Sequence, residues 1–226
     1  MIAGTRESAT GFEDPLSLLP KAITKLHSLW VSATYPFASR GGKLSIHYTA
    51  LLSRRIARRI KIGKSVAIRK DAWLNIIREA SDGINITIED NCLIGARNVI
   101  SAKNHIHLER DVIMATSVLI MDHNHAYEDV ELPIRLQPAT PGGRIRIEQG
   151  CWIGQGAAIV CDKGELVLGR NCVVAANALI TRSFPPNSVI VGNPARLGRQ
   201  YDPVMQSWNG GSGRVSKEST ENQTVS

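Results

Sequence analysis

Residues 120 to 138 read IMDHNHAYEDVELPIRLQP and set two histidines, His123 and His125, among Asp122, Asn124, Glu128 and Asp129. A neutral imidazole beside a carboxylate can take a proton from an attacking hydroxyl or amine, so these residue types suit general-base catalysis. Two further histidines, His105 and His107, precede them by eighteen residues each. Imidazoles lying one above another can instead hold zinc, and polar residues of this kind also occur in turns that carry no chemistry. The choice depends on the elements that position the four rings.

Those elements announce themselves by spacing. Aliphatic residues fall at Ile88, Ile94, Ile100, Ile106, Val112 and Val118, six apart throughout. Neither an amphipathic helix, with its period of 3.6, nor a half-exposed strand, with its period of 2, produces a strict six. The spacing resumes at Ile147, Ile153 and Ile159, slips by two residues at DKGE, and continues at Val167, Val173 and Leu179; Ile62, Ile68 and Leu74 show it earlier, before the insertion NIIREASDG. A hexapeptide repeat of this kind predicts an all-β parallel β-helix, with three hexads, about eighteen residues, to each triangular coil and the sixth side chain in the shaft. Gly after the inward position, in IGKSV, IGARN, WIGQG and LGRNC, suits corners that need positive φ or close backbone approach. With eighteen residues per coil, His105 and His123 should stack, as should His107 and His125. Position 124 should point inward next, but it is Asn124, so the ladder stops. Pro133, Pro138, Pro141, Gly142 and Gly143 then mark a protruding loop, long enough to carry function, with His123 at the last corner before it.

Composition bounds the rest. The chain has 226 residues, 43% of them hydrophobic, enough for one domain. We expect a tail and amphipathic helix over 1–43, the β-helix over 44–200 with its loop at 126–146, and a tail over 201–226, disordered from Asn209. Leu19, Ile23, Leu26 and Trp30 stand at helical spacing, the mark of a helix packed on its own domain, with docking to a membrane as the alternative. No apolar run of membrane-spanning length and no basic leader into an apolar segment appear, so a cytoplasmic location is expected. The net charge of +7 concentrates in Arg54, Arg55, Arg58, Arg59, Lys61, Lys64, Arg69 and Lys70. That field suits phosphates, an anionic glycan or lipid headgroups; without interleaved aromatics it gives no ground for nucleic acid. Cys92, Cys151, Cys161 and Cys172 lie too far apart for a zinc or disulfide framework and fit reduced, buried thiols.

The hexads, the histidine-bearing interruption, WIGQGAAIV and VVAANALITRSFPPNSVIVGNPAR together resemble the left-handed β-helix acyltransferases. The nearest branches are the maltose and galactoside O-acetyltransferases and the capsule or lipopolysaccharide O-acetyltransferases. The likeness covers roughly residues 44 to 200, and VGNPAR is its most specific part. It implies left-handed coils, acetyl-CoA as co-substrate, no metal, and a homotrimer whose donor lies in a groove between subunits. It implies as acceptor a sugar hydroxyl of a surface polysaccharide or glycan precursor, with an amino sugar or xenobiotic as the alternative. By position, the general base is His123, its ring oriented by Asp122 or Glu128, with Asn104, Asn124 and His125 in contact with the acceptor. Trp152 falls near the pantetheine arm or acceptor, Ala176 along the pantetheine, Thr181 and Arg182 toward the adenine, and Arg196 near the nucleotide phosphates. DHNHAYED departs from the galactoside enzymes around that histidine, which leaves the acceptor open.

Overall fold

A computed structural model describes residues 18–209. It opens with a helix, Leu18–Thr34, and from Ser39 onward short strands rotate through three parallel sheets for six coils. The first face stacks Ser39–Arg40, Ile60–Ile62, Ile86–Ile88, His105–Leu108, Gly142–Ile147 and Lys163–Leu168. The second begins with Ser45–Ile46 and runs through Leu93–Ile94, Ile113–Met114 and Trp152–Ile153 to Val173–Val174 and Ser188–Val191. The third stacks Leu51–Leu52, Trp73–Ile76, Val99–Ala102, Leu119–Met121, Ala158–Val160 and Leu179–Ile180. The aliphatic ladder is the core: Ile88, Ile94, Ile100, Ile106, Val112 and Val118 are all buried.

The coil length differs from the expected eighteen. Ile106 pairs with Ile86 and Ile120 with Ile100, an offset of 20 residues. A hexad carries two inward positions, as in Ile86–Ile88, where Thr87 alone faces out. The run Ile106, Val112, Val118 is therefore the neighbouring inward row, and Leu108, Met114 and Ile120 continue the first one. After DKGE the offset is 21, because Leu168 pairs with Ile147. The odd number flips the phase, so Leu168, Val174 and Ile180 are buried, and the expected Val167, Val173 and Leu179 turn outward, half-buried.

Two of the three edges are tightly built. Left-handed residues recur at Ser65, Asn91, Asp111, Gly150 and Asn171 on one, and at Asp71, Arg97, Ser117, Gly156 and Asn177 on the other. The glycines after the inward positions serve close approach instead: a Cβ on Gly154 would sit 2.7 Å from the backbone N of Ala176 in the next coil. The third edge, where the third face hands over to the first, has no such repeat. Its connections, 53–59, 77–85, 103–104, 122–141, 161–162 and, before Phe184 bridges Leu168 of the first face, 181–183, vary in length and contain every insertion that disturbs the count of six.

The helix forms where expected but buries the opposite side. Ser28 and Val31 are its buried residues, and Leu19, Ile23, Leu26 and Trp30 are exposed. The cause is the free edge of Ser45–Ile46, the first strand of its face. Ser28 Oγ accepts the Ile46 N–H at 2.8 Å and lies 2.6 Å from the Thr24 carbonyl, while His27 Nδ1 is 3.1 Å from the Ile46 carbonyl. An unmet backbone edge outweighs the burial of a leucine stripe. At the other end Arg196–Asp202 folds back antiparallel on Ser188–Val191 and is joined by Ser207–Asn209, so residues 201–209 are ordered strand and turn rather than tail. The expected disorder beyond Asn209, and the first part of the 1–43 segment, fall outside the described residues. The strand Gly142–Ile147 ends the loop excursion at 141, earlier than the expected 146. All four cysteines are free and buried.

Candidate active site

The chain leaves the fourth coil at Asp122, on the irregular edge. This side chain is fully buried, and its carboxylate accepts the backbone N–H of Lys103 at 2.6 Å on Oδ1 and that of Asn104 at 2.8 Å on Oδ2. Both donors belong to the two-residue connection of the coil below, which clamps the carboxylate in one orientation. His123 follows, with Nδ1 3.0 Å from Asp122 Oδ1. A carboxylate can only accept, so Nδ1 carries a proton, and in the neutral ring Nε2 then keeps its lone pair, the tautomer a general base requires. Glu128, the other candidate to orient the ring, is exposed and accepts the N–H of Tyr127 at 2.9 Å instead. The ring does not stand at an open exterior corner: His123 is 8% exposed.

Beyond His123 the loop is stitched to its own return limb. The Asn124 N–H donates to Thr140 Oγ1 at 2.9 Å, the Thr140 N–H returns to the Asn124 carbonyl at 2.8 Å, and His125 bridges Ala139. The Lys103 ammonium donates to the carbonyls of Ala139 and Thr140, Asn104 Nδ2 to that of Pro141 at 3.1 Å, and the Ala139 N–H to Glu79 Oε2 at 2.9 Å. Asn104, expected at the acceptor, thus spends its amide on the loop. Asn124 is half-buried and His125 exposed. Sequence reasoning missed Lys103, Thr140 and Glu79.

The stacked-histidine geometry does not form. Met121 pairs with Ser101, so His123 follows in register over Lys103, not over His105. His105 and His107 lie on a first-face strand, with His105 Nε2 3.1 Å from Thr87 Oγ1 and His107 Nε2 2.8 Å from Glu89 Oε1. Burial, reinforced by His107, holds the His105 pKa below the usual histidine value. The extra two residues of the coil remove the geometric basis of the zinc alternative. Among the described residues no three His, Cys, Asp or Glu side chains gather closely enough to hold a metal.

The expected donor-binding residues divide into two groups. Thr181 and Arg182 follow Ile180, which stacks through Ile159 on Ile120, and so share the His123 edge about 10 Å away, two strand spacings. The Arg182 guanidinium lies 5.3 Å over the Phe184 ring. Ala176 stands at the corner between the second and third faces. Arg196 starts the strand after a turn whose Gly192 carbonyl accepts the Leu179 N–H at 3.1 Å, which puts that turn at the same corner. Trp152 is 51% exposed on the second face, between Ile113 and Val173. One chain therefore holds the two groups on opposite margins of its third face.

Comparison with known proteins agrees with this architecture. The family model described as the hexapeptide repeat of succinyl-transferase matches residues 85–118 and 144–182, on either side of the loop. WbbJ of Escherichia coli, named for lipopolysaccharide biosynthesis O-acetyl transfer, is 25% identical over 62% of this chain and 79% of its own length. An acetyltransferase of Mycobacterium tuberculosis is 30% identical over 70% of this chain and 48% of its own length, and the galactoside O-acetyltransferase of Escherichia coli is 26% identical over 62% and 56%. The chain thus spans only about half the length of the last two. Among solved structures, the N-acyltransferase AntD of Bacillus cereus, in complex with dTDP and coenzyme A, superposes with a TM-score of 0.64 at 17% identity, over 78% of this chain and 90% of that one. A hexapeptide-repeat acetyltransferase of Vibrio cholerae in complex with acetyl coenzyme A gives 0.51 at 21%, over 81% and 84%. With the repeat matched on both sides of the loop and six stacked coils, the chain carries the hexapeptide-repeat architecture and is similar to a series of proteins named as acetyltransferases.

Proposed function

We propose that the chain transfers an acetyl group from acetyl-CoA to a hydroxyl of a sugar in a surface polysaccharide or glycan precursor, with His123 as general base. The observation that carries this reading is the buried Asp122–His123 pair at the mouth of the loop, with Nε2 as the accepting nitrogen. The acceptor hydroxyl gives its proton to Nε2 as its oxygen attacks the thioester carbonyl carbon. Asp122, held by two backbone N–H groups, stabilises the imidazolium and does not itself take the proton. Collapse of the tetrahedral centre breaks the carbon–sulfur bond, and the imidazolium returns the proton to the departing thiolate. Asn124 and His125 contact the acceptor; Trp152, Ala176, Thr181, Arg182 and Arg196 serve the donor.

Because the donor residues sit on two margins of the third face, a complete site needs a neighbouring copy. A homotrimer that sets the Ala176 and Arg196 corner of one chain against the His123 edge of the next would unite them. The outward side of the third face suits such contact, with Leu51 and Trp73 exposed on it. The names of WbbJ and the galactoside enzyme support a sugar hydroxyl as acceptor. The dTDP bound by AntD makes a nucleotide-linked amino sugar the competitor.

The test is release of free CoA across a panel of oligosaccharides, nucleotide sugars and small non-carbohydrate amines and alcohols. His123→Ala should lower kcat about a hundredfold to ten-thousandfold without weakening acetyl-CoA binding. His125→Ala should act on the acceptor KM. Near-normal turnover by His123→Ala, or turnover of a non-carbohydrate alone, would sink the reading.

A further inference from the structure

The helix Leu18–Thr34 turns its most apolar arc to solvent. With Ser28 and Val31 on the prism, the residues on the opposite side at 100° per residue are Leu19, Ile23, Leu26, Leu29 and Trp30, exposed by 68%, 39%, 67%, 60% and 55%. Seventeen residues make this face about 25 Å long. The helix is too short and too charged to cross a bilayer, and no helix among the described residues is long and apolar enough to do so. A strongly amphipathic helix with Lys21 and Lys25 on its polar side has the form of one that lies in the headgroup region.

What lies behind the arc, on the polar side of the helix, names the occupant. Between the helix and the first coil runs a cleft of about 520 Å³ lined by Lys21, Lys25, Arg40, Lys43 and Arg69, together with Ser28 and His47. Arg54 extends the positive field, its Nε donating to the Thr34 carbonyl at 3.1 Å at the end of the helix. A second copy of the chain on this face would bring two such cationic rims together, which like-charge repulsion opposes. A bilayer bearing anionic lipid meets both features at once, taking the apolar arc at the acyl boundary and giving its phosphates to the cations.

We infer that this end of the molecule is a docking surface for an anionic lipid bilayer, with the leucine and tryptophan arc inserted and the five-cation cleft holding lipid phosphates. It deepens the proposed function by placing the acetyltransferase where a lipid-borne glycan acceptor is presented, and it rests on that reading only for the acceptor.

The experiment is flotation of the full chain with phosphatidylcholine vesicles, with and without phosphatidylglycerol, at low and high salt. The chain should float with the anionic vesicles, and much less with neutral ones or at high salt. Lys25→Gln and Lys43→Gln should each lower partition about fivefold at low salt. Leu26→Asp combined with Trp30→Ser should abolish flotation while CoA release with a soluble acceptor and the sedimentation mass stay unchanged. No flotation of the native chain, equal flotation of the variant, or a smaller assembly for the variant would each overturn the inference, the last by making the arc an interface between copies. Loss of the acyl-transfer reading would leave flotation intact, so the two fail separately.

Discussion

Asp122→Asn tests the core of the site, because it keeps the side-chain volume and removes only the charge and one acceptor. The native carboxylate meets three donors: the N–H of Lys103 and the Nδ1–H of His123 at Oδ1, and the N–H of Asn104 at Oδ2. Asparagine has one acceptor oxygen. With that oxygen at the Oδ1 place, its NH₂ faces the Asn104 N–H, and a buried donor goes unmet at about 1–3 kcal/mol of stability. The kinetic effect is separate. Opposite charges about 4 Å apart interact by about 4 kcal/mol at an effective dielectric of about 20. The amide dipole recovers part of this, leaving about 2–3 kcal/mol of lost stabilisation of the imidazolium, or a kcat about 30- to 150-fold lower. Urea unfolding measures the first effect, and CoA release at saturating donor and acceptor the second. KM for either substrate should move by no more than about twofold. If the two residues act as a unit, Asp122→Asn on top of His123→Ala should cost nothing further in kcat. Multiplying losses, or a stability loss with kcat unchanged, would reduce Asp122 to a loop anchor and refute the dyad.

Other consequences can be measured as directly. Lys103→Met removes the ammonium from the Ala139 and Thr140 carbonyls, so tryptic cleavage at Arg135 in the loop should quicken by about tenfold while global unfolding changes little; unchanged cleavage would show that the backbone stitching suffices. Ser28→Ala leaves the buried Ile46 N–H without its acceptor and should cost about 1–3 kcal/mol in thermal or urea unfolding; no loss would mean that the helix is held by Val31 alone. For Glu109, burial raises the pKa, but the Arg146 guanidinium and the Gln149 N–H outweigh it and hold the carboxyl below its ordinary 4.5. The folded state then binds this proton less readily than the unfolded chain, so the stabilisation is present above about pH 4.5 and disappears as pH falls through the depressed folded value. Arg146→Met should therefore be less stable at pH 7 and converge on the native chain once pH has fallen below the depressed Glu109 value, whereas a gap independent of pH would assign the effect to packing of the arginine stem.

The prism was legible because its period is unlike that of any other element, yet the count of six hid the true coil length. Each hexad holds two inward positions, both aliphatic in Ile106 with Leu108 and Val118 with Ile120, so an added pair of residues shifts the register without breaking the pattern. An odd addition cannot hide, and after DKGE it reversed the face of Val167, Val173 and Leu179. The same two-residue addition separated His105 from His123. The helix shows the converse limit: apolar spacing identified the element, but a hydrogen-bonding need at Ile46 chose which side it buries. At the candidate site, His123 could be singled out from its place before a proline- and glycine-rich loop, but Asp122 and Glu128 stood as alternative partners until the burial and contact of Asp122 separated them. Lys103 and Glu79 could not be singled out, since their partners at Ala139 lie 36 and 60 positions away with no local sign of the contact.

Why the candidate site lies on one edge follows from what the other two must do. There each coil meets the next through left-handed corner residues and backbone contacts as close as Gly154 to Ala176, so an inserted residue would break the stack. On the third edge the chain can leave for twenty residues and return in register, for Ile147 still stacks on Leu108 and Ile159 on Ile120 across the loop. The strands on both sides are then rigid mounts, and the connection between them is free of the repeat. Asp122 exploits this junction: it is the first residue past the last strand position, close enough to the prism to be buried and clamped by the Lys103 and Asn104 amides. His123, one residue further, inherits that rigidity while facing a loop whose sequence can change with the acceptor. On the proposed function, catalytic precision would come from the repeat and specificity from its interruption, so the residues between Asn124 and Pro141 are where substrate preference should be sought.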